Sequence, residues 1–166
     1  MIYQIHNIKC RGLIHQAHIL WTVIMELKAF QDYLNSQRLK FTRPRRLIFK
    51  EIFSSKKVHP NADEIHRRLK RKGQKVSLAT IYRTLSLLVK CGLVSEIDFG
   101  ESHSHYEPDV VKAAHGHLVC LSCGEVKEFS HEKIQTILNK IGKESHFMTD
   151  KFSIQVFGYC ENCQKK

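Results

Sequence analysis

The chain has 166 residues, of which 42% are hydrophobic, enough for a packed core and too many for a globally disordered chain. It contains no run of about 18 apolar residues, which excludes a helical membrane span. The net charge of +11 is uneven, because residues 25–107 carry 17 basic and 9 acidic side chains whereas residues 108–166 carry 8 and 7. This asymmetry predicts that residues 25–107 bind a polyanion. The alternative is an ordinary basic surface exposed to solvent.

The first 24 residues show neither a helical nor a strand period, and the first well-patterned segment opens at Met25. We therefore expect translation to begin at Met25 and residues 1–24 to be a start-site artefact. The apolar stretch Leu13–Met25 follows Lys9 and Arg11, as in a signal peptide. No small-residue cleavage site follows it, so a cytoplasmic protein is expected.

Residues 25–107 predict four helices and a two-stranded ribbon. Leu27, Phe30 and Leu34 share one face of the first helix. The expected helix caps are Thr42 for the second helix, Asn61 for the third and Ser77 for the fourth, and Gly73 and Gly92 are the expected stops. Strands are expected over Leu93–Phe99 and Ser104–Glu107. Helices that end in a ribbon are typical of a winged helix-turn-helix domain, which inserts its last helix into the major groove.

The fourth helix has the clearest amphipathic pattern. One face carries an apolar stripe, and the opposite face is polar and basic with one aromatic. The stripe is Leu78, Ile81, Leu85 and Leu88, and the opposite face is Ala79, Tyr82, Arg83, Ser86 and Lys90.

Residues 108–112 read as a hinge, and residues 113–166 as a small α/β domain. Strands are expected over His117–Leu121 and Glu125–Phe129, followed by a helix that Ser130 caps and Gly142 closes. That helix carries Ile134, Ile137, Leu138 and Ile141 on one face. A last strand, Phe152–Tyr159, is expected to turn Phe152, Ile154 and Val156 inward. The fold class is therefore α+β.

Two CxxC pairs, Cys120/Cys123 and Cys160/Cys163, predict a structural zinc site. Each pair offers two corners of a tetrahedron, and four thiolates leave no open position. Zinc would anchor the C-terminus of the domain, which is too small to be stable without a metal or covalent cross-link. The alternative is redox chemistry, which requires a CxxC at a helix N-terminus in a βαβ unit. Cys10 and Cys91 lack partners and are expected to be bystanders.

A second metal site is indicated by histidines near the first cysteine pair. His115 and His117 point to one face of a strand, and Glu128 lies on the neighbouring strand. His59 precedes the third helix, and Glu107 ends the wing. Imidazoles with carboxylates suit Fe²⁺, Mn²⁺ or Zn²⁺.

From Met25 to Cys163 the chain resembles the ferric uptake regulator family, through an ordered set of motifs. They are Thr42–Arg45, His59–Glu64, Ala79–Leu85, Tyr106–Glu107, His115–Gly124 and Cys160–Cys163. The resemblance implies a homodimeric winged-helix repressor with structural Zn²⁺ on its four cysteines. It also implies a regulatory ion, most readily Fe²⁺, held by His59, Glu107, His115, His117 and Glu128.

Departures from the family pattern narrow this expectation. Many members of the family have a further metal site. Its ligand positions are occupied in this chain by Ala114, Gly116, Gln135 and Phe152, so we expect that site to be absent. The peroxide-sensing branch usually carries Asp where Glu128 stands, and zinc sensors often use a hinge cysteine, so iron sensing is favoured over zinc, manganese or peroxide sensing. Asp109 is a rival for Glu107, and His103 and His105 are interpreted as solvated wing residues that could add a ligand.

For the DNA contact, Tyr82 is expected to pack on a thymine methyl and Arg83 to meet phosphate or guanine. Lys40 is expected to enter an A/T-rich minor groove. The alternative is an ordinary exposed helix face. An enzyme is disfavoured, because the cysteine site is full and no H-x-E with P-C-x-x-C is present. A constitutive zinc-stabilised DNA-binding protein, with no small-molecule or membrane partner, is the remaining rival.

Overall fold

The computed structural model describes residues 23–53, 59–109, 115–130, 132–149 and 152–165. The chain forms two compact units, Met1–Val110 and Val111–Lys166. Within the described residues no helix has both the length and the apolar run that a bilayer crossing requires. Residues 1–22 of the expected extension lie outside the described part, as do Cys10 and Ala114.

The described residues of the first unit form four helices followed by a β-hairpin. Helix α1 occupies residues 23–36, so it already includes two residues before Met25. The other elements are α2 Arg43–Phe53, α3 Ala62–Arg71, α4 Leu78–Lys90, β1 Val94–Ile97 and β2 His105–Pro108. The two strands pair antiparallel, with Val94 opposite Pro108 and Ile97 opposite His105. The strand that was expected to end at Glu107 therefore extends one residue further.

Apolar residues from all four helices form the core of this unit. Phe30 and Leu34 of α1 and Ile81, Leu85 and Leu88 of α4 are 0% exposed. Burying such a side chain stabilises a fold by about 1.5–3 kcal/mol. The apolar stripe predicted for α4 is confirmed, except that Leu78 at the helix start is only partly buried.

Helix starts and stops follow the predicted capping residues. The side chain of Asn61 accepts a hydrogen bond from the Glu64 backbone N–H at 2.9 Å. That of Ser77 accepts one from the Thr80 N–H at 3.3 Å. Gly92 follows α4 with φ of 72°, a conformation that costs glycine little because it has no Cβ.

The second unit is a three-stranded sheet with two helices. Its elements are β3 His115–Cys120, β4 Val126–Ser130, α5 Glu132–Glu144, β5 Gln155–Gly158 and α6 Glu161–Gln164. The strand order is β4-β3-β5, antiparallel between β3 and β4 and parallel between β3 and β5. The short helix α6 was not predicted, because a four-residue helix is too short to show a period.

One prediction about α5 is wrong. The described part of the helix begins at Glu132, two residues after Ser130, which ends β4, so the predicted cap at Ser130 stays a prediction. Gly142 lies inside α5, which continues to Glu144. A Cβ at Gly142 would meet Thr149 Oγ1 at 2.5 Å, so this glycine is required by the close approach of the following chain.

The expected inward face of the last strand is also wrong in part. The strand is shorter than predicted, and Val156 is 49% exposed. Its partner in the register, Leu118 of β3, is 43% exposed. On α5, Ile137 and Ile141 are more than half exposed although they share the predicted apolar face. The second unit thus leaves much of its apolar surface uncovered in the single chain.

Candidate functional site

The four paired cysteines converge in the second unit. Cys120 ends β3, Cys123 lies in the turn after it, and Cys160 and Cys163 flank the start of α6. Their four sulfur atoms all lie within 4.8 Å of one another. The Cys123 and Cys160 sulfurs are 3.7 Å apart, so the cysteines are free thiols and not disulfides.

This arrangement fits a tetrahedral metal ion. With metal–sulfur bonds of about 2.3 Å, the edge of an S₄ tetrahedron is about 3.8 Å. The backbone N–H of Cys160 donates to the sulfur of Cys120 at 3.3 Å. Hydrogen bonds from the backbone of Cys160 and Cys123 lower the pKa of Cys120 to about 6, whereas the neighbouring thiols and burial raise the pKa of the other three cysteines, so the thiolate forms first at Cys120.

In the first unit, His59 and Glu107 form a pair. His59 immediately precedes α3, and its Nε2 lies 3.5 Å from Glu107 Oε2. Both are largely shielded, with side chains 11% and 7% exposed. The rival carboxylate, Asp109, instead accepts a hydrogen bond from the Ser95 hydroxyl at 2.5 Å. Geometry within this unit therefore favours Glu107 over Asp109 as the partner of His59.

In the second unit, His115 and His117 lie on one face of β3. Their ring centroids are 5.1 Å apart and nearly perpendicular. His117 is 3% exposed, and Glu128 of β4 stands directly opposite it in the antiparallel register. Glu128 is nevertheless exposed, and its carboxylate is not among the donor atoms that lie within 4.8 Å of these two imidazoles, so its role as a ligand stays a prediction.

Gly116, between these histidines, has no room for a side chain. A Cβ there would lie 2.4 Å from the ring of Phe129, which stands opposite it on β4. The amide of Gln135 donates to Asn139 on the same helix, at 3.0 Å. Gly116 therefore supplies no side-chain ligand, and the expected absence of a further site at these positions stays a prediction.

The wing holds a third group of metal-binding side chains. Nε2 of His103 and Nε2 of His105 lie 2.8 and 2.9 Å from the same oxygen, Glu101 Oε2. Both histidines were predicted as possible ligands, whereas Glu101 was not. The spacing Glu-x-His-x-His was the available signal, since alternate residues of an extended segment share a face.

The outward face of α4 is polar and basic, as predicted. Tyr82 is 44% exposed and Arg83 is exposed, whereas Leu85 on the other face is fully buried. Lys40, in the turn between α1 and α2, is also exposed. Cys91, at the end of α4, donates its thiol to the Leu88 carbonyl, and burial raises its pKa. Nothing links Cys91 to the ligand groups.

Comparison with known proteins gives a consistent result. A model described as "Ferric uptake regulator family" matches residues 36–157. The "Ferric uptake regulation protein" of Legionella pneumophila is 34% identical over 131 residues, covering 79% of this chain and 96% of that protein. The "Peroxide operon regulator" of Bacillus subtilis is 28% identical over 141 residues, covering 85% and 95%.

A solved structure is similar as well. The ferric uptake regulator of Pseudomonas aeruginosa with manganese has a TM-score of 0.70 and 30% identity, and the match covers 79% of this chain and 97% of that one. The α+β fold with a winged helix and a small second domain is thereby confirmed. The relatives are named as regulators, which agrees with the prediction that the chain is not an enzyme.

Proposed function

Because the chain belongs to the ferric uptake regulator family of metal-dependent regulators, we propose that it represses transcription by binding A/T-rich palindromic operators as a homodimer when Fe²⁺ is bound. The observation that carries this proposal is that each unit presents its own part of a ligand set. The first unit presents His59 and Glu107, and the second presents His115 and His117, with Glu128 opposite His117 on the neighbouring strand.

An ion that requires both parts binds only the arrangement in which the units bring them together. It therefore shifts the population toward that arrangement by its difference in affinity for the two states. In a dimer, this would set two α4 helices at the separation of successive major grooves, about 34 Å.

The donor set and two features of the sequence together favour one regulatory ion. Three imidazoles and two carboxylates suit Fe²⁺, Mn²⁺ or Zn²⁺. The hinge sequence, residues 108–112, contains no cysteine, and position 128 is Glu and not Asp. These features favour iron over zinc or peroxide sensing.

The four cysteines are proposed to hold a structural Zn²⁺. Their sulfur spacing supports this role, since it matches a closed tetrahedron with no position left for substrate. Such an ion would join the turn after β3 to the chain end and so stabilise the second unit.

The homodimer is proposed to form through the second unit. Its exposed apolar side chains include Leu118, Ile137, Ile141, Val156 and Phe157. Leu118 and Val156 are neighbours in the register of β3 and β5, and exposed apolar side chains grouped in this way are typical of an interaction site. A second copy of the chain would cover it.

DNA contact is assigned to the exposed face of α4 and to Lys40. Tyr82 supplies an apolar ring for a thymine methyl, and Arg83 supplies a guanidinium for phosphate or guanine. Their exposure opposite the buried stripe supports this assignment. Lys40 would enter the adjacent A/T-rich minor groove.

The test is operator binding by fluorescence anisotropy with zinc-loaded protein, titrating Fe²⁺ and Mn²⁺ anaerobically and Zn²⁺ separately. We expect micromolar metal to tighten binding at least tenfold, which is about 1.4 kcal/mol of coupling. His117→Ala should abolish this effect. His66→Ala, which removes a half-buried histidine of α3 outside the ligand groups, is the matched control and should keep it.

His117 is buried, so His117→Ala is checked by circular dichroism and by zinc content. His115→Ala, at a half-exposed position, provides an independent variant. Tight binding without added metal, unchanged by all three ions, would contradict the switch and leave a constitutive zinc-stabilised DNA-binding protein.

A further inference from the structure

The wing contains a cluster that the proposed regulatory site does not use. Glu101, His103 and His105 place one carboxylate oxygen and two imidazole nitrogens within 4.8 Å of one another. We propose that these three residues form an additional binding site for a divalent transition-metal ion, with Zn²⁺ as the ion to test. The site lies wholly within the first unit.

The backbone of the wing brings these three side chains together. Gly100 turns the chain with φ of 79°, and its N–H donates to the carboxylate of Asp98 at 2.7 Å. Glu101, His103 and His105 then follow at alternate positions, and His105 is the first residue of β2. Glu101 and His103 lie in the bend that leads into β2, and this bend brings the donor atoms of the three side chains together.

The donor atoms already have the spacing of ligands on one ion. Nε2 of His103 and Nε2 of His105 lie 2.8 and 2.9 Å from Glu101 Oε2. Two ligands each about 2.0–2.1 Å from a shared ion, at angles between 90° and a tetrahedral angle, are about 2.9–3.4 Å apart. These two distances therefore already fit ligands on a shared cation, and the third pair of donor atoms lies within 4.8 Å.

The surroundings of His105 give a second, independent indication. Its Nδ1 lies 2.9 Å from the backbone carbonyl oxygen of His59, and its Nε2 faces the carboxylate of Glu101. Neither oxygen of these two groups can donate a hydrogen bond when the carboxylate is ionised. A neutral imidazole has one N–H and can donate to only one of these two acceptors. A cation between Nε2 and the carboxylate would satisfy the other contact.

The contact with the His59 carbonyl also resembles the support that metal-binding histidines commonly have. A ligating imidazole almost always donates its other N–H to a carbonyl or carboxylate, which fixes its tautomer and its orientation. The ring of Phe99, 3% exposed, packs against the His105 ring at a centroid distance of 5.0 Å. His105 is thus held in place, whereas His103 and Glu101 are about one third exposed and give the ion access to solvent.

The ligand types define the class of ion. Two imidazoles with one carboxylate suit Zn²⁺, Ni²⁺, Co²⁺ or Fe²⁺, whereas Mg²⁺ and Ca²⁺ prefer oxygen ligands throughout. Three protein ligands leave at least one position for water. Because the site is open and contains no sulfur donor, its ion should exchange more readily than one on the four cysteines.

The competing explanation is an ion pair between Glu101 and protonated histidines, with no metal. The experiment uses the full chain with its cysteine zinc in place, in a His117→Ala background that weakens the regulatory site. Added Zn²⁺ is counted by equilibrium dialysis and elemental analysis and its affinity is measured by calorimetry. His103→Ala and Glu101→Gln are the test variants, and His66→Ala is the control.

We expect the His117→Ala protein to take up one more Zn²⁺ per chain than the protein that also carries His103→Ala. Glu101→Gln should weaken that binding at least tenfold, and His66→Ala should leave it unchanged. Equal stoichiometry and affinity in all of these proteins would overturn the proposal and leave the ion pair. This readout is independent of operator binding, so the repressor function can fail while the wing site stands, and the reverse.

Discussion

Substitutions on the two faces of α4 are expected to have opposite effects on stability and on DNA binding, although the two residues are only three positions apart. Leu85 is 0% exposed, so Leu85→Ala removes buried carbons and leaves a cavity, at a cost of about 3 kcal/mol in the free energy of unfolding. Tyr82 is 44% exposed, and Tyr82→Ala should change that free energy by no more than about 0.5 kcal/mol.

The effect on DNA binding should be reversed. Loss of a specific contact with a base costs about 1–3 kcal/mol, so Tyr82→Ala should raise the operator Kd roughly 5- to 150-fold at fixed salt. Leu85→Ala, where still folded, should bind with nearly the original affinity. Urea unfolding followed by circular dichroism gives the first quantity, and anisotropy with saturating metal gives the second.

The reasoning would be refuted if Tyr82→Ala destabilised the protein as much as Leu85→Ala does. It would also fail if Tyr82→Ala left operator affinity unchanged, because the exposed face of α4 would then not be the DNA-reading face. Arg83→Ala provides a check of a different kind. If Arg83 contacts phosphate, its loss should lower affinity on all sequences alike and reduce the salt dependence by about one unit of slope.

Four further predictions address the rest of the molecule. Cys163→Ser should remove about one zinc per chain by elemental analysis and make the second unit sensitive to protease. Tyr106→Phe should reduce the loss of stability at high pH: burial raises the pKa of Tyr106 to about 12, so its contribution is complete below pH 10 and is lost as the pH rises through 12, which urea titrations at several pH values would show. Val156→Glu should give monomers in sedimentation experiments while metal content is retained, whereas an unchanged dimer would exclude this surface. Gly116→Asp should lower Tm without adding a bound metal, because the ring of Phe129 occupies the space for the new side chain.

The first unit could be predicted closely from the sequence because local signals and burial agree there. The capping bonds of Asn61 and Ser77 form as their spacing indicates. The residues expected to line the core of α4 are buried, with Leu78 only in part. The observed strand ends differ from the predicted ones by one or two residues, since the last hydrogen-bonded pair of a hairpin depends on the partner strand and not on the local sequence pattern.

The second unit was harder to predict for a physical reason. Apolar periodicity identifies which side chains avoid water, but it does not say whether the same chain or another chain covers them. Val156 and Ile141 follow the expected pattern and are nevertheless about half exposed. The sequence predicts that Gly142 ends a helix. In the structure it lies where residues 147–149 approach the helix closely, which the sequence does not reveal. Glu101 could not be predicted as a ligand for a similar reason. A single carboxylate is recognised as a possible ligand only when the fold shows that it lies close to His103 and His105.

His59 connects the two metal-binding groups of the first unit. Its imidazole faces Glu107 at 3.5 Å, and its backbone carbonyl lies 2.9 Å from Nδ1 of His105. Phe99 lies against both rings, with centroid distances of 5.6 Å to His59 and 5.0 Å to His105. An ion that fixes His105 therefore restricts His59, which lowers the conformational entropy that His59 must lose to bind a regulatory ion. Because coupling between binding sites is reciprocal, a regulatory ion on His59 must tighten the wing site by the same factor. Loss of the wing ion in a His103→Ala chain should thus weaken the regulatory site although none of its ligands has changed, and equal affinity would show that the two sites act independently.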